Sequence, residues 1–134
     1  MIKSGFPPNI EEIAKVFMHQ TGVVYCFGAD IYNPDNSYID EPQLVHEGIH
    51  TTQQGDKPQD WWERYLRDND FRFAQELEAF QAQYRCFCER VKDRNYCDKY
   101  LRKLARSLSS ETYGKICNLS EAMQAINSKV KFKC

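Results

Sequence analysis

The chain has 134 residues, a length that suits one domain with a single hydrophobic core. Its 18 Lys and Arg residues nearly balance its 19 Asp and Glu residues, so no strong net field attracts nucleic acid or an anionic membrane. No apolar stretch approaches the ~20 residues that span a bilayer, and the N-terminal segment lacks the apolar region of a signal peptide. We therefore expect one domain over residues 1–134 in the cytosol, without nucleic-acid or membrane partners.

The first part of the chain predicts a helix followed by short strands. Asn9 is a candidate cap for a helix that Gly22 ends. The expected buried stripe of this helix comprises Ile10, Ile13, Ala14 and Phe17. β-branched and aromatic residues then predict one strand at 23–27 and a short edge strand at 31–32.

The next predicted helix carries the most informative pattern of the chain, HEGIH at 46–50. His46 and His50 are about 400° apart around a helix, so their imidazoles lie nearly one above the other and can hold one Zn²⁺ at about 2.0–2.1 Å. Glu47 lies at the flank of the same face, where a carboxylate can accept a proton from a water that the metal activates. The pattern is typical of zinc peptidases.

Other residues of this helix predict how it packs. The helix is expected to begin at Glu41-Pro42 and to end at Gly55. We expect its apolar residues to pack inward: Leu44, Val45 and Ile49. Gly48 costs about 1 kcal/mol against Ala inside a helix, which predicts that another backbone passes close to it.

Two helices are predicted next, from Gln59 to about Asp68 and over 71–92. Trp61 and Trp62 of the first are expected in the core, because adjacent large aromatics seldom stay exposed. On the second, Glu76 falls about 60° from Phe73, at the edge of an apolar stripe, whereas Glu78 falls at about 140° and faces solvent.

Glu76 is thus the candidate third metal ligand. A bare buried carboxylate costs several kcal/mol, and a zinc ion held by two histidines would remove that cost. The alternative is an ion pair of Glu76 with Arg64 or Arg67 at the edge of the core. Three protein ligands would leave one position of a tetrahedral ion open, as in catalytic sites.

The rest of the chain predicts two more helices, marked by spaced apolar and aromatic residues between 96 and 108 and between 119 and 126. It also predicts a loop at 109–114 and a frayed tail at 129–134. A second zinc site formed by Cys86, Cys88, Cys97 and Cys117 is an alternative, but their spacing matches no common zinc finger, so the six cysteines are expected as reduced thiols. The expected fold class is α+β, mostly helical, with a small β-sheet beside the helix pair that holds the metal.

Several segments together resemble a known family. The segments are GFPPNIEEI, DIYNP, LVHEGIHTTQQG, WWERYLRD, FRFAQELEAF, LSSETYG and EAMQAI. The chain is similar to small zinc peptidases encoded by tailed bacteriophages, and HEGIH followed by Glu76 resembles the gluzincin arrangement. The resemblance implies His46, His50 and Glu76 as ligands and Glu47 as the catalytic carboxylate. It also implies a host-cell cytosolic or virion-associated location.

One departure from the gluzincin pattern concerns the surroundings of the ligands. Many gluzincins have an Asp after the motif of the third ligand that orients a histidine, and Phe80 takes that place here. We expect another acceptor, such as a backbone carbonyl, to orient His46. Tyr113 and Tyr32 are the candidate oxyanion stabilisers, and His19 is expected to be a helix-end residue rather than a fourth ligand.

The sequence therefore predicts a zinc-dependent hydrolase of peptide bonds, with Glu47 as general base. An extended peptide could add to the strand at 31–32. One alternative is a phage virion or assembly protein, in contact with phage structural proteins, whose zinc only stabilises the fold. Another is hydrolysis of a non-peptide amide such as a cell-wall crosslink.

Overall fold

Six α-helices and three short strands form residues 1–128, the part of the chain that the computed structural model describes. The elements are β1 Ile2–Lys3, α1 Ile10–Ala14, β2 Tyr25–Phe27, β3 Asp30–Tyr32, α2 Glu41–Gln54, α3 Pro58–Arg67, α4 Asn69–Arg90, α5 Arg94–Leu108 and α6 Leu119–Ile126, with a 3₁₀ turn at Glu111–Tyr113. The predicted α+β, mostly helical class is confirmed. The predicted frayed tail at 129–134 lies outside the described residues.

The three strands form one sheet in the order β1-β3-β2. β3 pairs in parallel with β1 and antiparallel with β2, so the strand at 31–32 lies in the centre of the sheet. The prediction of an edge strand there, open to an added peptide, is wrong. Its second neighbour β1 has only two residues, too few to show an alternating pattern in the sequence. The outer strand next to α2 is β2.

α2 packs against α4 through a polar face. Its buried residues recur every four positions: Pro42, His46, His50 and Gln54. The expected inward packing of its apolar residues is wrong for Leu44, which is 37% exposed, while Val45 and Ile49 are only half-buried. The imidazoles occupy the inward face because their partners lie on α4, and this displaces the apolar residues to the flanks.

Gly48 does not mark a close approach of another backbone. It is exposed, and a Cβ built at this position would meet no atom within 4 Å among the described residues. The prediction drawn from this glycine is therefore wrong. Nothing in the structure explains why the position is Gly.

Two apolar clusters flank the helix pair. One lies between α1, β2 and α3 and comprises Ile13, Tyr25, Trp61, Trp62 and Tyr65, which confirms the expected burial of both tryptophans. The other lies between α4, α5 and α6 and comprises Phe80, Leu101, Leu104, Ala105, Leu108, Ala122 and Ile126. α1 is shorter than predicted, and its Ala14 is exposed.

Two further findings concern the described residues as a whole. No helix within 1–128 combines the length and the apolar character needed to cross a membrane. All five cysteines in this range are free, as expected: Cys26, Cys86, Cys88, Cys97 and Cys117. Cys134 lies outside it.

Candidate metal centre

Three donor atoms from α2 and α4 face one another in the interior. The Nε2 atoms of His46 and His50 are 3.2 Å apart, and Oε1 of Glu76 lies 3.1 Å from the first and 3.3 Å from the second. Donors around a tetrahedral ion at 2.0–2.1 Å are separated by about 3.3–3.4 Å. The three atoms therefore form a triangle close in size to one face of such a site. Among residues 1–128 this is the one group of His, Cys, Asp and Glu that can hold a metal.

His46 is oriented from its other ring nitrogen. Its Nδ1 lies 2.8 Å from Oε1 of Gln83 on α4. The Gln83 amide nitrogen donates to the Tyr100 hydroxyl at 2.8 Å, which fixes the amide so that its oxygen faces the imidazole. Phe80, in the place of the gluzincin Asp, packs edge-on against the His46 ring with 4.8 Å between centroids. The expected additional acceptor is thus a side-chain amide rather than a backbone carbonyl.

His50 is oriented in the same way from within α2. Its Nδ1 lies 2.8 Å from Oε1 of Gln53. The Gln53 amide nitrogen donates to the backbone carbonyl of Gln75 at 3.0 Å and to Glu78 at 2.7 Å. Glu78 is exposed, as expected, yet it helps to fix the amide that orients a ligand residue.

These contacts test whether the residues fit a metal. In the neutral imidazoles each Nδ1 donates to an amide oxygen, so each Nε2 directs a lone pair toward the centre of the triangle. Two lone pairs and a carboxylate oxygen then converge in a buried space, an arrangement that is favourable only around a cation. The buried group of His46, His50 and Glu76 can therefore bind a metal ion.

The pKa values of the metal-free protein also indicate that this site favours a positive charge. Burial lowers the pKa of His50, but the contact with the Glu76 carboxylate outweighs burial and raises that pKa to about 9. Burial raises the pKa of Glu76, but its contacts with His50 and His46 reverse the effect and hold this pKa well below its usual range. A proton on His50 thus supplies the positive charge that a metal ion would otherwise supply.

The second oxygen of Glu76 has its own partner. The Tyr65 hydroxyl donates to Oε2 at 2.6 Å, which leaves Oε1 to face the two imidazoles. The alternative ion pair of Glu76 with Arg64 or Arg67 does not form in the described chain. Arg64 instead pairs with Asp68 at 3.6 Å.

Arg72 ties together the segments that carry two tyrosines of the site. Its buried guanidinium donates to the carbonyls of Tyr65 and Thr112 at 2.8 and 3.1 Å. Thr112 precedes Tyr113 in the 3₁₀ turn, which ends at Gly114 with φ of 84°. A Cβ at Gly114 would lie 3.0 Å from Asn69, so only glycine fits this turn without displacement.

Glu47 and the three ligand residues line one cavity of about 710 Å³, a volume common for ligand sites. The Glu47 carboxylate is half-buried and accepts no hydrogen bond from residues 1–128. Burial raises its pKa, and the nearby Glu76 charge raises it further, whereas His46 and His50 lower it. The group is thus a basic oxygen directed to an open space, as a general base requires.

The other predicted site residues differ in their placement. Tyr113 lines the cavity, and burial together with the charges of Glu76 and Glu47 raises its pKa, so the hydroxyl stays protonated and can donate. Tyr32 is not among the cavity-lining residues and lies against Lys3. His19, which follows α1, is outside the ligand group and contacts Tyr25 and Asp35 at 2.6 and 2.9 Å.

No family model, curated protein or solved structure matches this chain.

The sequence held partial signals for the residues that support the ligands. Gln83 is seven positions after Glu76, about 20° away around the helix, so both occupy one face of α4. Gln53 is three positions after His50, within reach on the same helix. Tyr65 and Arg72 carried no such signal, because their partners come together only through the packing of α3 on α4.

Proposed function

We propose that this protein is a zinc-dependent hydrolase of peptide bonds, with His46, His50 and Glu76 as ligands and Glu47 as general base. The observation that carries the proposal is the buried triangle of two imidazole nitrogens and one carboxylate oxygen in the same cavity as the Glu47 carboxylate. Two nitrogens and one oxygen suit zinc among the common divalent ions. The resemblance to phage zinc peptidases forms part of the same proposal.

The residues around the metal centre have separate roles in the proposed reaction. A zinc ion in the triangle would supply Lewis-acid chemistry, polarising a carbonyl and making a water more acidic. Glu47 accepts the proton of the attacking water and returns it to the nitrogen of the leaving amine. Tyr113 donates a hydrogen bond to the oxygen on which negative charge develops. Tyr65, Gln53 and Gln83 hold the ligands in place throughout.

The position of the outer strand supports a peptide substrate. Residues 23–26, at and before β2, line the cavity together with the ligand residues. An extended peptide can pair with backbone at the outer edge of a sheet. Part of this edge is closed, because the Cys26 carbonyl accepts hydrogen bonds from Gln54 and Trp62. Pairing is therefore expected at the Val24 side of the strand.

The proposal is tested by changing the base without changing the ligands. In Glu47→Gln we expect zinc content equal to that of the parent and hydrolysis reduced by at least 100-fold, because an amide cannot accept the proton. Glu89→Gln removes an exposed carboxylate outside the cavity and should change neither. Metal content is measured on the purified proteins, and hydrolysis on mixed peptides and peptidoglycan fragments. A Glu47→Gln variant as active as the parent would refute the assignment.

One observation favours a second function. The ligands join α2 to α4, so a bound ion would also link two helices that pack closely in the fold. In a phage virion or assembly protein the ion would serve only this purpose. Chelation would then lower the melting temperature strongly in a protein that hydrolyses none of the peptides or peptidoglycan fragments.

A further inference from the structure

The cavity that contains the metal centre has two chemically different walls. One is mostly apolar and comes from α1 and the segment after it, with Gln20 as its one polar residue: Ile13, Val16, Phe17, Met18, Gln20, Val23 and Val24. The other is polar and comes from the end of α5 and the 3₁₀ turn: Arg106, Ser107, Ser110, Thr112 and Tyr113. A molecule that fills the cavity can therefore contact both apolar surface and hydrogen-bond donors.

Arg106 is the only Lys or Arg among the residues that line this cavity. It is exposed, and among residues 1–128 its guanidinium forms no ion pair or hydrogen bond. The other arginine near the site, Arg72, is buried and donates four hydrogen bonds, to Tyr65, Leu66, Asn69 and Thr112. Arg106 is thus the cationic group of the cavity that has no partner from the described protein.

The presence of an arginine at position 106 also has a local explanation. It lies in the last turn of α5, where a positive charge interacts favourably with the helix dipole. That interaction does not require the side chain to line a cavity. A guanidinium presents paired N–H donors that match the two oxygens of a carboxylate.

We propose that Arg106 binds a carboxylate of the substrate, so that the enzyme prefers peptides with an apolar residue and a carboxylate close to the scissile bond. The inference rests on the proposed function, because it places the peptide in the metal-containing cavity. The carboxylate can come from the C-terminus of the substrate or from an acidic side chain. Both present the same two oxygens, and the experiment separates them.

The binding test uses the zinc-loaded full chain with Glu47→Gln, which is expected to bind peptides without cleaving them. Three N-acetylated pentapeptides of alanine and phenylalanine are titrated by calorimetry: one with a free C-terminal carboxylate, one with a C-terminal amide, and one amide with glutamate as its last residue. We expect a carboxylate peptide to bind roughly tenfold or more tightly than the simple amide, as a charge-assisted hydrogen bond predicts. Whichever of the two carboxylate peptides binds more tightly shows whether Arg106 prefers a C-terminal or a side-chain carboxylate.

Substitutions then assign this preference to one residue. Adding Arg106→Ala should reduce the affinity for the carboxylate peptide to that for the amide, and should leave the amide unchanged. Arg106→Lys should keep part of the preference, since it retains the charge but loses the paired donors. Arg102→Ala is the matched control, because Arg102 is an exposed residue one turn earlier on α5 that does not line the cavity.

Three results would overturn the inference: equal binding of all three peptides, an equal effect of Arg102→Ala, or a carboxylate preference that survives Arg106→Ala. The last result would mean that the metal, rather than Arg106, binds the carboxylate of the peptide. Hydrolysis by the parent protein separates the two proposals. Cleavage that is independent of Arg106 rejects only this inference, whereas Arg106-dependent binding without any cleavage keeps Arg106 as a carboxylate-binding residue and rejects the hydrolase.

Discussion

At the scale of single residues, the ligand histidines are held by neutral amides. Gln83 and Gln53 accept from the Nδ1 atoms of His46 and His50, and each amide is fixed by a further acceptor of its own. A neutral acceptor sets the tautomer of an imidazole without adding negative charge beside the metal. The triangle therefore carries only the single negative charge of Glu76. Because this charge neutralises only half of that of a divalent ion, a bound ion would remain strongly electrophilic.

Gln83→Met tests the role of this amide at nearly constant volume. We expect zinc affinity to fall roughly 10–100-fold, because the His46 Nδ1–H loses its acceptor and the ring loses its fixed orientation. Affinity is measured by competition with a chromophoric chelator. Gln81→Met is the matched control, since Gln81 lies on the same helix but donates to Ala125 on α6. Parental affinity in Gln83→Met would contradict the assignment.

At the scale of elements, α2 carries two ligand residues and the candidate base within one and a half turns. Its start is fixed by a capping box, in which Asp40 accepts from the Gln43 backbone and Gln43 accepts from the Asp40 backbone. The C-terminal part is held on β2 by the thiol of Cys26, 3.1 Å from the Thr51 hydroxyl. The helix is thus anchored on both sides of the metal-binding turn.

Removal of the α2 cap should destabilise the fold by a modest and predictable amount. We expect Asp40→Ala to lower the free energy of unfolding by about 1 kcal/mol, because backbone donors in the first turn lose their acceptor. Asp40→Asn retains an acceptor oxygen and should stay near the parent. Urea unfolding of the metal-free proteins, followed by circular dichroism, measures the difference. An equal loss in both variants would show that charge, rather than capping, is what matters there.

At the scale of the whole molecule, proton binding and metal binding compete for one buried site. In the metal-free protein the pKa of His50 is about 9, above the ordinary value of about 6.5 expected in the unfolded chain. The pair with Glu76 therefore contributes its full stability between about pH 4.5 and 6.5. It loses this stability as the pH rises through about 9, and again in strong acid as Glu76 is protonated. A bound metal replaces the proton and removes this loss.

Two measurements follow from this competition. Zinc binding at pH 7 should release roughly one proton, seen by calorimetry in buffers of different ionisation enthalpy. The rise in melting temperature on adding zinc should be larger at pH 9 than at pH 6.5, because affinity increases as the competing proton is lost. Glu76→Gln serves as a control in the metal-free protein, where it removes the charge that raises the pKa of His50 and should therefore remove the loss of stability toward pH 9. Zinc binding without proton release would contradict a protonated His50 in the metal-free protein.

The features that depend on helical periodicity could be predicted from the sequence alone. Helical spacing predicted His46 over His50 and Glu76 turned inward, and cap and breaker residues predicted the ends of every helix except α1 to within a few positions. These features depend on residues a few positions apart, so they can be read without knowing how the chain folds. The inward polar face of α2 could not be read this way, because hydrophobic periodicity pointed to Leu44 instead.

What only the tertiary structure decided are the contacts between distant segments. The pairing of β1 with β3 joins residues about thirty positions apart and turned an expected edge strand into a central one. The hydrogen bonds of Gln83 and Tyr65 to the ligand residues, and the placement of Arg106 and Tyr113 in one cavity, depend on how α3, α4 and α5 pack. No local pattern encodes such contacts, because their energies arise only after separate helices have come together.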